Sequence, residues 1–161
     1  MITIRATVES DLPHLVQWLM KGDILQWFPM LNQAEIEDNM RIWSAYSKLG
    51  ASLTAELNKE PVGLALLYIQ PYKKLAHQCL FAIVVAPSHR GQGIGTQLMQ
   101  ALMKHGKEKF HLEMLHLEVY EGNPAIALYQ KLGFTEFGSQ KRFIKEGPGL
   151  YRGKIMMQKH L

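Results

Sequence analysis

Residues 80–98 impose the tightest constraint on what this chain can fold into. Leu80–Ala86 (LFAIVVA) is an unbroken apolar run stopped by Pro87. A strand with one wet face alternates, so a run without alternation needs cover on both faces. Next comes the turn Arg90-Gly91-Gln92-Gly93-Ile94-Gly95. Beyond it Ile94, Leu98, Ala101 and Leu102 mark the inward side of a helix reaching about Lys109. Strand, glycine turn and helix in that order make an α/β unit. Glycine lets the backbone take positive φ and approach a ligand closely. The first N–H groups of the helix lack internal partners, and its dipole adds about half a positive charge there. Such a turn is either a seat for a pyrophosphate or only a tight connector.

The remaining elements follow from periodicity. Ile2–Arg5 alternates as a strand, and Ser10–Met20 carries Leu12, Leu15, Val16 and Leu19 at helical spacing. Gly22–Leu31 reads as an apolar loop. Asn32 with Glu35 resembles a capping box opening a second helix, with Ile36, Met40 and Trp43 on one face. Leu53–Leu57 and Val62–Tyr68 flank Asn58-Lys59-Glu60-Pro61 as a hairpin. Met114–Tyr120 alternates strictly: Leu115, Leu117 and Val119 share one side, His116, Glu118 and Tyr120 the other. Asn123-Pro124 suits a helix start and Gly133 a helix stop. Strands near Phe134–Gly138 and Leu150–Met157 follow. The predicted order β-α-α-β-β-β-α-β-α-β-β is an α/β fold with a mixed sheet.

At 161 residues the chain is expected to form one domain spanning 1–161. Its one cysteine, Cys79, excludes an internal disulfide and a cysteine-rich zinc module, and inside an apolar strand it reads as core rather than nucleophile. No His-x3-His or Cys-x2-Cys pair supports a metal. Met1-Ile2-Thr3-Ile4-Arg5 has no basic-then-apolar leader pattern, and no apolar run approaches about 18 residues. The expectation is a cytoplasmic protein with no membrane partner. A net charge of +4 favours an anionic ligand but is too small and dispersed to argue for nucleic acid, even with Lys141, Arg142, Lys145, Arg152 and Lys154 grouped near the end.

Two nucleotide readings of the turn weaken. A P-loop needs Gly-x4-Gly-Lys-Ser/Thr. The dinucleotide fingerprint needs Gly-x-Gly-x-x-Gly near the first strand, whereas here Gly-x-Gly-x-Gly follows about the fourth. Arg90-x-x-Gly93-x-Gly95 preceded by Val85-x-Pro87 instead resembles the acetyl-CoA signature of the GNAT superfamily of N-acetyltransferases. LEVYEGNPAIALYQKLGF, Leu117–Phe134, resembles that family's second signature. The resemblance implies a central, mixed, mostly antiparallel sheet of six or seven strands flanked by about four helices. Two parallel strands at its centre, Leu80–Ala86 and Met114–Tyr120, would splay apart.

The resemblance also implies a site. Acetyl-CoA would lie between the splayed strands as acyl donor, with no metal. Backbone groups of Ile83, Val84 and Val85 would pair with its pantetheine arm. Amides from Arg90, Gly91, Gln92, Gly93, Ile94, Gly95 and Thr96 would hold its pyrophosphate. Asn123 would sit beside the arm while also capping a helix. Tyr129 would protonate the departing thiolate. Glu118, or His116 on the same side of its strand, would accept the amine's proton through water. The strand before the turn departs from the family's pattern in carrying His77, Gln78 and Cys79 where many members have an acidic residue.

The acceptor, a small-molecule or peptide amine, would meet the first two helices and their connection. Trp27, Phe28 and Pro29 suit either a pocket wall or packing, including contact with a second copy in a homodimer. WLMKGDILQWFPM resembles the front half of aminoglycoside 6'-N-acetyltransferases, and Asp23, Glu35, Glu37 and Asp38 make the region acidic, as a cationic acceptor would require. Phe143–Arg152, with Gly147-Pro148-Gly149, reads as a mobile hairpin over the same cleft. The alternative class is a non-catalytic acyl-CoA-binding domain, which needs the phosphate turn but no base.

Overall fold

The computed structural model describes residues 1–161. Its elements are β1 (Ile2–Ala6), α1 (Leu12–Met20), α2 (Gln33–Lys48), β2 (Ser52–Leu57), β3 (Glu60–Leu67), β4 (Gln78–Val85), α3 (Ile94–Phe110), β5 (Met114–Tyr120), α4 (Ala125–Lys131), β6 (Thr135–Gly147) and β7 (Leu150–His160), with short 3-10 turns at Glu9–Asp11, Ile24–Trp27 and Pro87–His89. Local chemistry accounts for the boundaries. The Asn32 side chain accepts from the Glu35 N–H at 3.0 Å, and the Glu35 carboxylate reaches back to the Leu31 N–H, which starts α2. Asn58 and Lys59 both take positive φ, so β2 and β3 join through a two-residue turn rather than the longer one expected.

The seven strands form one sheet in the order β1-β2-β3-β4-β5-β7-β6. All neighbours are antiparallel except β4 and β5. That parallel pair is joined at only three register positions, Gln78–Leu80 against Met114–His116. Beyond Leu80 and His116 the two strands part.

Alternation sorts the side chains onto two faces. On β4, Cys79 and Phe81 join a core with Leu98, Leu102, Leu115, Leu117, Tyr129 and Met157 under α3 and α4. Val84 and Ala86 join a second core with Leu15, Trp18, Ile36, Trp43, Leu64 and Leu66 under α1 and α2. On β5, Leu115, Leu117 and Val119 belong to the α3–α4 face, so His116, Glu118 and Tyr120 belong to the α1–α2 face.

The end of the chain departs from expectation. Phe143–Arg152 is a hairpin, as expected, but it is the far part of one long β6–β7 hairpin whose strands run well beyond the Phe134–Gly138 and Leu150–Met157 expected. Register shifts between Gln140 and Ile144 and a left-handed Arg142 (φ 55°) break the alternation, which hides the continuity of β6 in the sequence.

Candidate active site

The parting of β4 and β5 leaves a cleft of about 790 Å³ that opens on both faces of the sheet. Which backbone groups face it follows from the β3–β4 ladder. Tyr68 N–H donates to the Leu80 carbonyl and Ala86 N–H to the Val62 carbonyl, each at 2.9 Å. Even-numbered residues of β4 therefore turn their peptide groups to β3, and Phe81, Ile83 and Val85 turn theirs to the cleft. Of the three residues expected to offer backbone there, Val84 is the exception: its amide belongs to the ladder with Leu64, and only its side chain lines the cleft. Phe81 takes its place, missed because the apolar run does not reveal which edge each peptide faces.

On the α3–α4 face, the turn after β4 holds Gly91 (φ 72°) and Gly93 (φ 77°), both in the left-handed region. A Cβ built on either would meet nothing within 4 Å, so the backbone borders open space. Gly93 caps α3 without any side-chain hydrogen bond, leaving the first N–H groups of a 17-residue helix uncapped. His89, Arg90, Gly91, Gly93, Ile94, Gly95 and Thr96 line the cleft; Gln92 does not. Gly95 serves packing instead, since a Cβ there would lie 3.2 Å from Leu128 of α4.

Tyr129 lines the same side. Its ring stands edge-on to Phe81 (5.8 Å between centroids) and Phe134 (6.0 Å), which fixes its direction. The residue is 8% exposed, and burial raises its phenol well above the ordinary value, so it stays protonated. Asn123 lines the cleft, and its side-chain oxygen accepts from the Ala125 N–H at 2.9 Å, the cap expected of it.

On the α1–α2 face the cleft is aromatic, with Trp27, Phe28, Tyr68, Tyr120 and Phe143 among its lining. Glu118 is the carboxylate of β5 that reaches it. Its Oε1 lies 3.0 Å from Nζ of Lys154, an almost buried amine on β7 whose Nζ also sits 4.0 Å from the Phe143 ring centre. Lys154, one of the cations grouped near the end of the chain, lies within the expected strand Leu150–Met157 and stands opposite Tyr120 on β5, which turns it to this face. His116 lies elsewhere. It belongs to the paired stub, its Nε2 is hydrogen-bonded to the Gln78 side-chain oxygen, and it does not line the cleft. Burial lowers its pKa, partly opposed by Glu118.

The acidic patch expected of the acceptor side dissolves into local partners. Glu35 caps α2, Glu37 accepts from Gln33, and Asp38 pairs with Arg41. Only Asp23 lines the cleft, and Arg90 of the glycine turn holds it at 2.9 Å. That hydrogen bond lowers the Asp23 pKa. Cys79 is buried at the closed end, with its thiol pushed up to about 12 by desolvation, which leaves no thiolate for nucleophilic chemistry. No three His, Cys, Asp or Glu side chains converge anywhere in the molecule, and no helix is long and apolar enough to cross a membrane.

Comparison with known proteins agrees with this geometry. Residues 14–134 match the model of the acetyltransferase (GNAT) family, and the chain belongs to that family. An N-alpha-acetyltransferase of Sulfurisphaera tokodaii is 44% identical over 71 residues, which cover 44% of this chain and 42% of the relative, so the match spans less than half of either. The crystal structure of a ribosomal-protein-alanine N-acetyltransferase from Brucella melitensis superposes with a TM-score of 0.82 at 28% identity, covering 99% of both chains. The yncA protein of Salmonella typhimurium, solved with its cofactor acetyl-CoA, shares the fold at TM-score 0.81 and 21% identity, over 99% of this chain and 94% of its own.

Proposed function

We propose that the protein is an acetyl-CoA-dependent N-acetyltransferase that passes the acetyl group directly to a primary amine while both substrates occupy the cleft. The observation that carries this reading is the parting of β4 and β5, which leaves the Phe81, Ile83 and Val85 peptide groups without strand partners beside open space. Unpaired backbone beside a cavity is costly unless a ligand or water satisfies it, and an extended chain bearing amides fits between two strands. The open cradle at Gly91 and Gly93 and the uncapped α3 terminus fit a diphosphate at the end of that chain.

An amine of ordinary pKa is protonated at pH 7, and removing the proton costs ~4–5 kcal/mol. Glu118, paired with Lys154 at 3.0 Å, would accept it through water from the α1–α2 face. The neutral nitrogen then attacks the thioester carbonyl carbon to form the N–C bond, the C–S bond breaks, the sulfur leaves with the electron pair, and the nitrogen's surplus proton passes through water to solvent. Tyr129, kept protonated by burial on the opposite face, would donate its hydroxyl proton to that sulfur. The same desolvation that weakens the phenol as an acid strengthens the buried thiolate as a base, so the transfer remains within reach.

Titration calorimetry with acetyl-CoA, followed by thiol release on adding a primary amine, tests the reading. Saturable binding with amine-dependent release of free CoA is expected. Binding without release under any amine would leave the acyl-CoA-binding alternative, and absence of binding by folded protein would overturn both.

A further inference from the structure

Every charge that reaches the acceptor side of the cleft is already matched within the protein. Glu118 faces Lys154 at 3.0 Å, and Asp23 faces Arg90 at 2.9 Å. Arg152, on the rim, faces Glu146 at 3.3 Å. Two of the aromatic rings are matched as well: the Arg152 guanidinium lies 4.8 Å from the Trp27 ring centre, and Lys154 Nζ lies 4.0 Å from that of Phe143. A second cation brought to either ring would sit across it from a like charge. The polar groups left over are the hydroxyls of Tyr68 and Tyr120, which burial keeps neutral.

From this pairing we infer that the acceptor is a monoamine: one primary amino group on an apolar or aromatic body, not a polyamine or an aminoglycoside. A polycation entering this pocket would lose hydration and find no free carboxylate, and the rings of Trp27 and Phe143 already carry a cation, whereas an aryl or alkyl body gains contact with Trp27, Phe28 and Tyr120. This deepens the acetyltransferase reading and rests on its assignment of the α1–α2 face to the acceptor. Lys154 then acts as a selectivity residue, since it alone prevents Glu118 from attracting a second ammonium group.

The test uses direct binding and turnover together. 2-Phenylethylamine, spermidine and kanamycin are titrated into the CoA-saturated protein while tryptophan fluorescence is followed, with Trp27→Phe giving the background from Trp18 and Trp43 that is subtracted to isolate Trp27. Phenylethylamine is expected to bind at least about tenfold more tightly than spermidine or kanamycin, with the same order in kcat/KM. Lys154→Met keeps the aliphatic stem over Phe143 and frees Glu118; it should narrow that gap about tenfold, chiefly by tighter spermidine binding. Lys154→Arg, which restores the pair, should return the wild-type order. Tighter wild-type binding of spermidine or kanamycin, or no phenylethylamine binding, overturns the inference. Binding in the expected order without any thiol release would instead overturn the acetyltransferase reading and leave the pocket's chemistry standing.

Discussion

The two sides of the cleft are built by opposite means. On the α3–α4 side the polar surface is largely main chain: peptide groups of β4, two left-handed glycines and an uncapped helix end, beside the buried Tyr129. On the α1–α2 side it is almost all side chain, aromatic walls braced by three ion pairs. Peptide groups cannot be changed by substitution, so the first surface suits a ligand that stays the same. Side chains vary freely, so the second suits a ligand that differs from one relative to another. A single opening in a sheet thereby separates a fixed recognition task from an adjustable one.

The largest effect should come from putting a charge on the main-chain side. Gly93→Glu sets a carboxylate at the helix end and should weaken acetyl-CoA binding by roughly 100-fold or more, ~2.7 kcal/mol, in calorimetry. Gly93→Ala, whose Cβ meets nothing within 4 Å, should lose only the ~1 kcal/mol of left-handed strain in thermal unfolding. If both variants bind alike, the glycine turn is not an anion seat.

Tyr129→Phe comes next. It keeps the edge-on packing with Phe81 and Phe134 and removes the proton donor, so kcat should fall at least about tenfold with the Kd for CoA nearly unchanged. On the opposite side, Trp27→Ala should raise the acceptor KM about tenfold and leave the Kd for acetyl-CoA within about twofold. A matched loss in both constants would mean that the two sides are not separable.

The smallest functional effect is expected far from either side. Asp11 is 2% exposed, and burial raises its pKa, but hydrogen bonds from Arg5, the Val8 N–H and Thr54 outweigh that and lower it overall. A carboxylate with a depressed folded pKa stabilises the protein above its unfolded value, and that contribution is lost as pH falls through the folded one. Asp11→Asn should therefore cost ~2 kcal/mol in urea unfolding at pH 7, with the deficit shrinking below about pH 4. Turnover at pH 7 should be unchanged.

The same contrast governs what could be read from the chain. The main-chain side is drawn from two contiguous stretches, 81–96 and 123–129, which overlap the two runs that resemble the family's signatures, so the resemblance pointed to most of it and missed Phe81. The other wall takes Trp27, Tyr68, Tyr120 and Phe143 from four separate segments, and no window of sequence contains two of them in contact. The acidic residues near α2 misled for the same reason: composition counts carboxylates, whereas the Glu35 cap and the Gln33–Glu37 and Arg41–Asp38 contacts decide where they point. His116 and Glu118 were correctly placed on one side of β5. Alternation cannot say where a ladder stops, and it stops between them.

The three-position junction of β4 and β5 also has a mechanical meaning. It is the only ladder between a four-strand plate and a three-strand plate, and the free arm from Phe81 to Val85 extends about 16 Å beyond it. Rotation of one plate by about 5° about that corner moves the arm's tip by roughly 1.4 Å, about one methylene's length, on the geometry of a strand. The short junction near Cys79 and Leu115, together with the core that packs Phe81 against Leu117 and Tyr129, thus sets the gauge of the slot.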